Sequence, residues 1–158
     1  MSRDRGLLTE RPYVAENSRE LDRMRAIVER LTEDELARPV NESWTVAAVL
    51  GHIAFWDGRA MALADKLTRG VAFTPSDDEP EDVDWINDAS RPLIHAIPPN
   101  DAAQLALRIA EETDRRMAGL PPVLAARAWP LAKASPLNLR RADHRGEHLD
   151  EIEAALGP

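Results

Sequence analysis

The chain has 158 residues, of which 44% are hydrophobic and 30% charged, a balance that fits one domain with a single core over residues 1–158. Twenty basic against 28 acidic side chains give a net charge of −8, which argues against nucleic acid as the main partner, because neutralising phosphates takes a basic face. Cysteine is absent, so disulfide scaffolds, thiolate nucleophiles and cysteine-based zinc fingers are excluded.

Proline punctuates the chain, since it removes a backbone donor and clashes inside a helix. The twelve prolines leave four long proline-free stretches, 13–38, 40–74, 100–120 and 137–157, each with a helical pattern. In the first, Val14, Leu21, Met24, Val28 and Leu31 share a stripe, and Thr32-x-x-Glu35 then reads as a capping box for a short extra turn. The second helix is expected to start after Thr45 as N-cap, with Trp44 stapled onto Val49, and to stop near Gly70. Val46, Val49, Leu50, Ile53, Trp56, Ala60, Ala64 and Leu67 form its apolar face. Residues 71–82 contain proline and five acidic side chains and read as an exposed loop, or alternatively as a lid. A short helix within 83–97 is expected to end near Pro92. The third long helix opens at Asn100 or Asp101, turns Leu105, Ile109, Met117 and Leu120 inward, and ends at Pro121. A connection through Trp129 and Pro130 leads to the fourth helix, about 137–156, with Leu149, Ile152 and Leu156 in phase.

No segment alternates convincingly as a strand, so the fold class is all-α: a four-helix bundle with long connections. The 69–100 link is long enough to run back along the bundle, which leaves helices two and three free to be parallel. The most apolar stretch, Val46 to Phe55, is interrupted by His52 and is too short to span a bilayer. The opening Met-Ser-Arg-Asp-Arg-Gly has no apolar core for a signal peptide, and the expectation is a cytoplasmic protein without membrane association.

The chain has no Gly-x-Ser-x-Gly elbow, phosphate-binding glycine loop or dinucleotide fingerprint, which leaves histidine placement as the chemical signal. His144 and His148 are four apart on the last helix, so their rings lie on one face and can grip one cation. Their stripe continues to Ile152 and Ala155 and should border the core. His52 lies between Val49 and Trp56, beside the apolar face of the second helix. A third imidazole from that helix would complete a three-histidine site with a fourth position open to water or substrate. The ordinary reading of each histidine is a hydrogen-bonded core residue. A cation shared by all three explains them together, because unpaired buried imidazoles are costly.

His95 has no partner by spacing and reads as a loop or surface residue. Asp57, Asp143, Glu147 and Glu151 are candidates to orient an imidazole N–H, although charges on helices are mostly solvated. Arg140 and Arg141 read first as surface charges and second as a seat for an anionic substrate. The four tryptophans read as core or staple residues. Gly146 marks either a close backbone approach or plain tolerance.

Ser43-Trp44-Thr45-Val46 followed by His52, then Asp143-His144-x-x-Glu147-His148-Leu149, resembles the DinB-like family of damage-inducible metalloproteins. Thr32-x-x-Glu35-x-x-x-Pro39 and Asp84-Trp-Ile-Asn87 sit where relatives carry similar residues, and the likeness covers almost the whole chain. The family includes the maleylpyruvate isomerase N-terminal domain and the low-molecular-weight-thiol transferases. The resemblance implies a bundle of non-sequential topology, often a homodimer, with zinc or nickel held by His52, His144 and His148. It implies activation of a low-molecular-weight thiol, such as mycothiol, bacillithiol or glutathione, against a small-molecule electrophile. Two rival readings stay open: metal-dependent hydrolysis without a thiol, and a non-catalytic stress-response bundle with a structural metal.

Overall fold

The computed structural model describes residues 11–72, 81–128 and 137–158. Within them lie seven helices: α1 (Pro12–Arg30), α2 (Glu33–Leu36), α3 (Val46–Thr68), α4 (Glu81–His95), α5 (Pro99–Gly119), α6 (Pro122–Ala128) and α7 (Arg141–Leu156). No strand occurs among the described residues, only an isolated bridge between Pro39 and Thr45. None of the described helices is long and apolar enough to cross a membrane.

The expected start signals operate. Thr32 and Glu35 form a reciprocal capping box on α2, and the Thr45 hydroxyl accepts from Ala48 N at 3.1 Å to open α3. After α3, Gly70 takes φ +73°, a conformation that favours glycine.

Long-range pairs fix the directions of the four long helices. The Thr113 hydroxyl reaches Asp57 O and Arg116 pairs with Asp65, so α3 and α5 run parallel. Tyr13 reaches Met117 O and Arg25 pairs with Glu111, so α1 opposes α5. Asn17 reaches Leu139 O and Arg23 pairs with Asp150, so α1 and α7 are parallel. The bundle therefore has the non-sequential arrangement that the long connections permit. The most extensive contact is α3 on α5. Both bury rows of alanine (Ala47, Ala54, Ala60 and Ala64 against Ala102, Ala103, Ala106 and Ala110), whose small side chains let the helices come close.

Several expectations need correction. Helix α4 continues past Pro92 to His95. The lost Pro92 N–H would have bonded the carbonyl of Asp88, an exposed residue, so water can satisfy that carbonyl. Helix α5 opens at Pro99, one residue early, because proline is pre-organised for a first turn. Its core stripe is alanine-rich, and Leu105 and Ile109 are only partly buried. The last helix begins at Arg141, with buried Leu137 and Leu139 ahead of it. Glu81, Asp82 and Asp84 belong to α4, so the acidic stretch is not all loop. Most of that stretch, with Asp77, Asp78 and Glu79, lies outside the described residues, as does the connection through Trp129 and Pro130. Trp85 is 60% exposed and is no core residue. A Cβ at Gly146 would meet only the Glu20 carboxyl, at 3.5 Å, an ordinary contact, so no close approach explains this glycine. Gly51 is the tight position, where a Cβ would stand 2.7 Å from Cγ2 of buried Ile94. That close fit seats α4 on α3 beside His52.

The core is in two parts. One apolar cluster gathers Leu21, Met24, Ile27, Leu50, Ile53, Leu149 and Ile152; the other gathers Tyr13, Leu63, Met117, Leu120, Leu137 and Leu139. Charged side chains are also buried in the bundle. Asp57 and Arg145 are both fully buried, and Arg141 nearly so. Asp57 Oδ1 accepts from Arg141 Nε and its Oδ2 from Arg145 Nε, each at 2.9 Å. Arg145 also forks onto Asp114 at 3.0 and 2.7 Å and donates to Asn17 O and Ala110 O. Its donors are thus shared among α1, α3 and α5. Burial works against the Arg145 charge, but the Asp57 charge and the bonds to Asp114 outweigh it and raise the pKa above the usual arginine value. For Asp114, burial outweighs the same bonds and pushes the carboxyl upward. The surface reading of Arg141 is therefore overturned, and Asp57 serves arginines instead of an imidazole.

Candidate metal centre

The stripe of α7 that enters the core is Arg141, Arg145, Leu149 and Ile152. His144 and His148 lie on its flank, half-buried, beside the core as the spacing predicts. Helix α3 runs antiparallel to α7 and brings His52, 7% exposed, against both rings. The ring centroids are 5.2 Å apart for His52 and His144, 4.6 Å for His52 and His148, and 4.5 Å for His144 and His148. Each ring offers one nitrogen, and the three nitrogens lie within 4.8 Å of one another.

Proton positions follow from the neighbours. His148 Nδ1 lies 3.0 Å from Glu151 Oε2, so that nitrogen carries the proton and donates. His148 Nε2 faces His144 Nε2 at 3.1 Å. Burial, and after it the neighbouring His148, lowers the pKa of His52 to about 4. Burial also leads for His144, followed by His148 and Arg141, and lowers its pKa to about 2. Both rings are neutral at pH 7, the form that can ligate. The Nδ1 atoms of His52 and His144 are buried without a hydrogen-bond partner.

This donor set fits a divalent cation. Zinc–imidazole bonds of about 2.0–2.1 Å in a tetrahedral arrangement place ligand nitrogens roughly 3.3 Å apart, close to the 3.1 Å between His144 and His148. Three ring nitrogens and a carboxylate behind one of them make up the ligand and supporting shells such ions use. The three histidines could therefore hold a metal ion.

A pocket of about 170 Å³ opens beside the cluster, lined by Asn41, Trp44, Val49, His52, Asn87, His148 and Glu151. Trp44 meets His52 edge-on at 5.2 Å. On its other side it stacks on His95, which bonds Ser43 O at 2.9 Å. His95 is exposed as expected, but it has partners in space that spacing does not reveal. Asn41 Oδ1 accepts from Ser43 N and Trp44 N, and Asn87 Oδ1 accepts from Trp56 Nε1 at 2.8 Å. Of the four carboxylates considered from sequence, only Glu151 reaches a histidine, and Asp143 and Glu147 are exposed. Sequence reasoning missed Asn41 and Arg145. Nothing local marks Arg145 among the many charges of α7, although its place four residues from both Arg141 and Leu149 puts it on the buried stripe.

An all-helical bundle with three converging histidines defines a class of protein compatible with holding a metal ion between helices. The sequence matches the family model of the DinB superfamily over residues 16–151, and the chain belongs to that superfamily. Searches among curated proteins and among solved structures gave no match.

Proposed function

We propose that the chain is a divalent-metal-dependent enzyme in which His52, His144 and His148 hold zinc or nickel and a small electrophile is attacked by a low-molecular-weight thiol or by water. The observation that carries this reading is the convergence of three imidazole rings, two of which, His52 and His148, line a pocket. A bound divalent cation supplies Lewis acidity and lowers the pKa of a thiol or water in its open position. The chain's residues prepare the place. Glu151 holds the His148 tautomer, and Trp44 and Val49 form an apolar wall. Asn41 and Asn87, their oxygens engaged by protein N–H groups, keep amide donors for an oxygen-bearing ligand. The thiol is the preferred nucleophile because the resemblance implies it.

The rival reading of a structural metal is weakened by the buried ionic cluster, which ties α1, α3, α5 and α7 together through protein groups alone. The proposal includes a single cytoplasmic domain over 1–158 acting as a homodimer. Exposed Phe55, Trp85 and Leu93 on α3 and α4 offer apolar surface for a second copy, which the mass in solution tests.

The direct experiment is elemental analysis of protein purified without a histidine tag, alongside His52→Ala and His148→Ala. The expected result is about one zinc or nickel per chain, lost in both variants. Absence of metal, with no uptake of added zinc or nickel, sinks the reading. With metal present, turnover of electrophiles with and without added thiols separates transfer from hydrolysis.

A further inference from the structure

The buried carboxylate of Asp57 joins the two helices that carry the histidines. Asp57 lies five residues after His52 on α3, and its two oxygens each take a different arginine of α7 at 2.9 Å. Those arginines bracket His144 in the sequence, and Arg145 is three residues before His148. The ionic contact and the ring cluster are thus neighbouring rungs on the same pair of antiparallel helices.

We propose that Asp57, acting through Arg141 and Arg145, is a positioning residue for the three-histidine centre, fixing the register of α7 against α3 and with it the spacing of the His52 ring from the His144 and His148 rings. The proposal rests on the metal-binding reading above. A slip of one residue along a helix moves a side chain by about 1.5 Å, a third of the 4.6 Å between the His52 and His148 ring centroids. Apolar contacts through Leu149 and Ile152 are non-directional and resist such a slip weakly. Two charge-assisted bonds one turn apart on α7 fix both its height and its rotation. Arg145 cannot be re-aimed, because its remaining donors are held by Asn17, Ala110 and Asp114. Buried ion pairs add little net stability over well-packed apolar residues, and fixing a register is their best-attested use.

The test compares Asp57→Asn and Arg141→Gln with Leu63→Ala, which loosens the core six residues beyond Asp57. In the metal-free proteins, nuclear Overhauser contacts among the three rings are recorded. Zinc affinity is measured by competition, and the visible spectrum is taken with cobalt(II) bound. Asp57→Asn and Arg141→Gln are expected to alter the ring contacts and the cobalt spectrum and to weaken zinc by roughly 10- to 100-fold. Leu63→Ala is expected to lower stability while leaving all three as in the wild type. Unchanged ring contacts and affinity in Asp57→Asn, or equal changes in Leu63→Ala, would overturn the inference. If the wild type takes up neither zinc nor cobalt, the metal reading fails, and the metal-free ring contacts alone decide whether Asp57 sets the spacing.

Discussion

Two polar clusters share α3 and α7, and they differ in how completely the protein satisfies them. In the ionic cluster, both Asp57 oxygens are taken and Arg145 spends its donors on Asp57, Asp114, Asn17 and Ala110. In the histidine cluster, the Nδ1 atoms of His52 and His144 have no partner, and one side opens onto a pocket. A closed polar cluster in a core is architecture, because nothing remains for a ligand to do. An open one, with ring nitrogens of His144 and His148 facing each other beside a pocket, leaves room for a ligand. Burial alone does not separate the two, since Arg145 is more buried than His52.

Removing one member of the closed cluster should do the most damage. Asp57→Ala leaves two buried guanidinium groups facing no carboxylate at that point. Losing one partner of a buried ion pair costs about 3–5 kcal/mol, read as a fall in the urea midpoint of the metal-free protein. His52→Ala, which removes an unsatisfied group, should cost clearly less under the same conditions. A larger loss for His52→Ala than for Asp57→Ala would reverse the assignment of architecture and function.

Metal should separate the clusters in the opposite sense. Zinc at a thousandfold excess over its dissociation constant should stabilise the wild type by about 4 kcal/mol. The thermal midpoint should rise with added zinc and return on chelation. His144→Ala should show no rise, whereas Leu63→Ala, with an intact centre, should start lower and rise by a similar amount. A zinc-dependent rise that survives in His144→Ala would place the ion elsewhere.

The sequence makes the open cluster legible and hides the closed one. The four-residue spacing of His144 and His148, and the place of His52 beside an apolar face, bring three rings together before any coordinates are known. The helices are legible for the same reason, because Thr32, Thr45 and Gly70 signal locally what they do locally. Arg141 is misread and Arg145 missed because arginine is almost never buried without a partner, and their partner lies 84 and 88 residues away on α3. The alanine stripe of α5 is missed in favour of Leu105 and Ile109, since side-chain size alone does not tell which face a close neighbour will occupy. Pro92 misleads because the carbonyl that it deprives belongs to an exposed residue.

Acid should act on the open cluster first. The folded-state pKa values of His52 and His144 lie below the ordinary histidine value, with His52 at about 4. Between about pH 6.5 and 4 the unfolded chain therefore binds more protons than the folded one, and stability falls as pH falls. It should be fully present above about pH 6.5, with the His52 part lost progressively down to about pH 4 and the His144 part down to about pH 2. Asp114, raised by burial, works with the opposite sign, because its folded form takes up a proton before the unfolded form does. The histidine contribution is isolated by the difference between the wild type and His52→Gln, whose metal-free unfolding should be flatter across this range. Equal slopes for the two proteins would mean that His52 titrates as freely as in the unfolded chain.

The smallest expected effect concerns the loop that walls the pocket. His95 is exposed, and it braces the loop by one bond to Ser43 O and by stacking on Trp44. A net contribution of about 1 kcal/mol is ordinary for such a hydrogen bond, so His95→Ala should lower stability by no more than that. Trp44 also touches His52, so its fluorescence should respond both to this substitution and to zinc. Zinc affinity should stay at the wild-type value in His95→Ala, because the loop supplies none of the three rings and leaves the Asp57 contact intact. If affinity instead falls as far as in Asp57→Asn, the pocket wall, and not the ionic cluster, holds His52 in place.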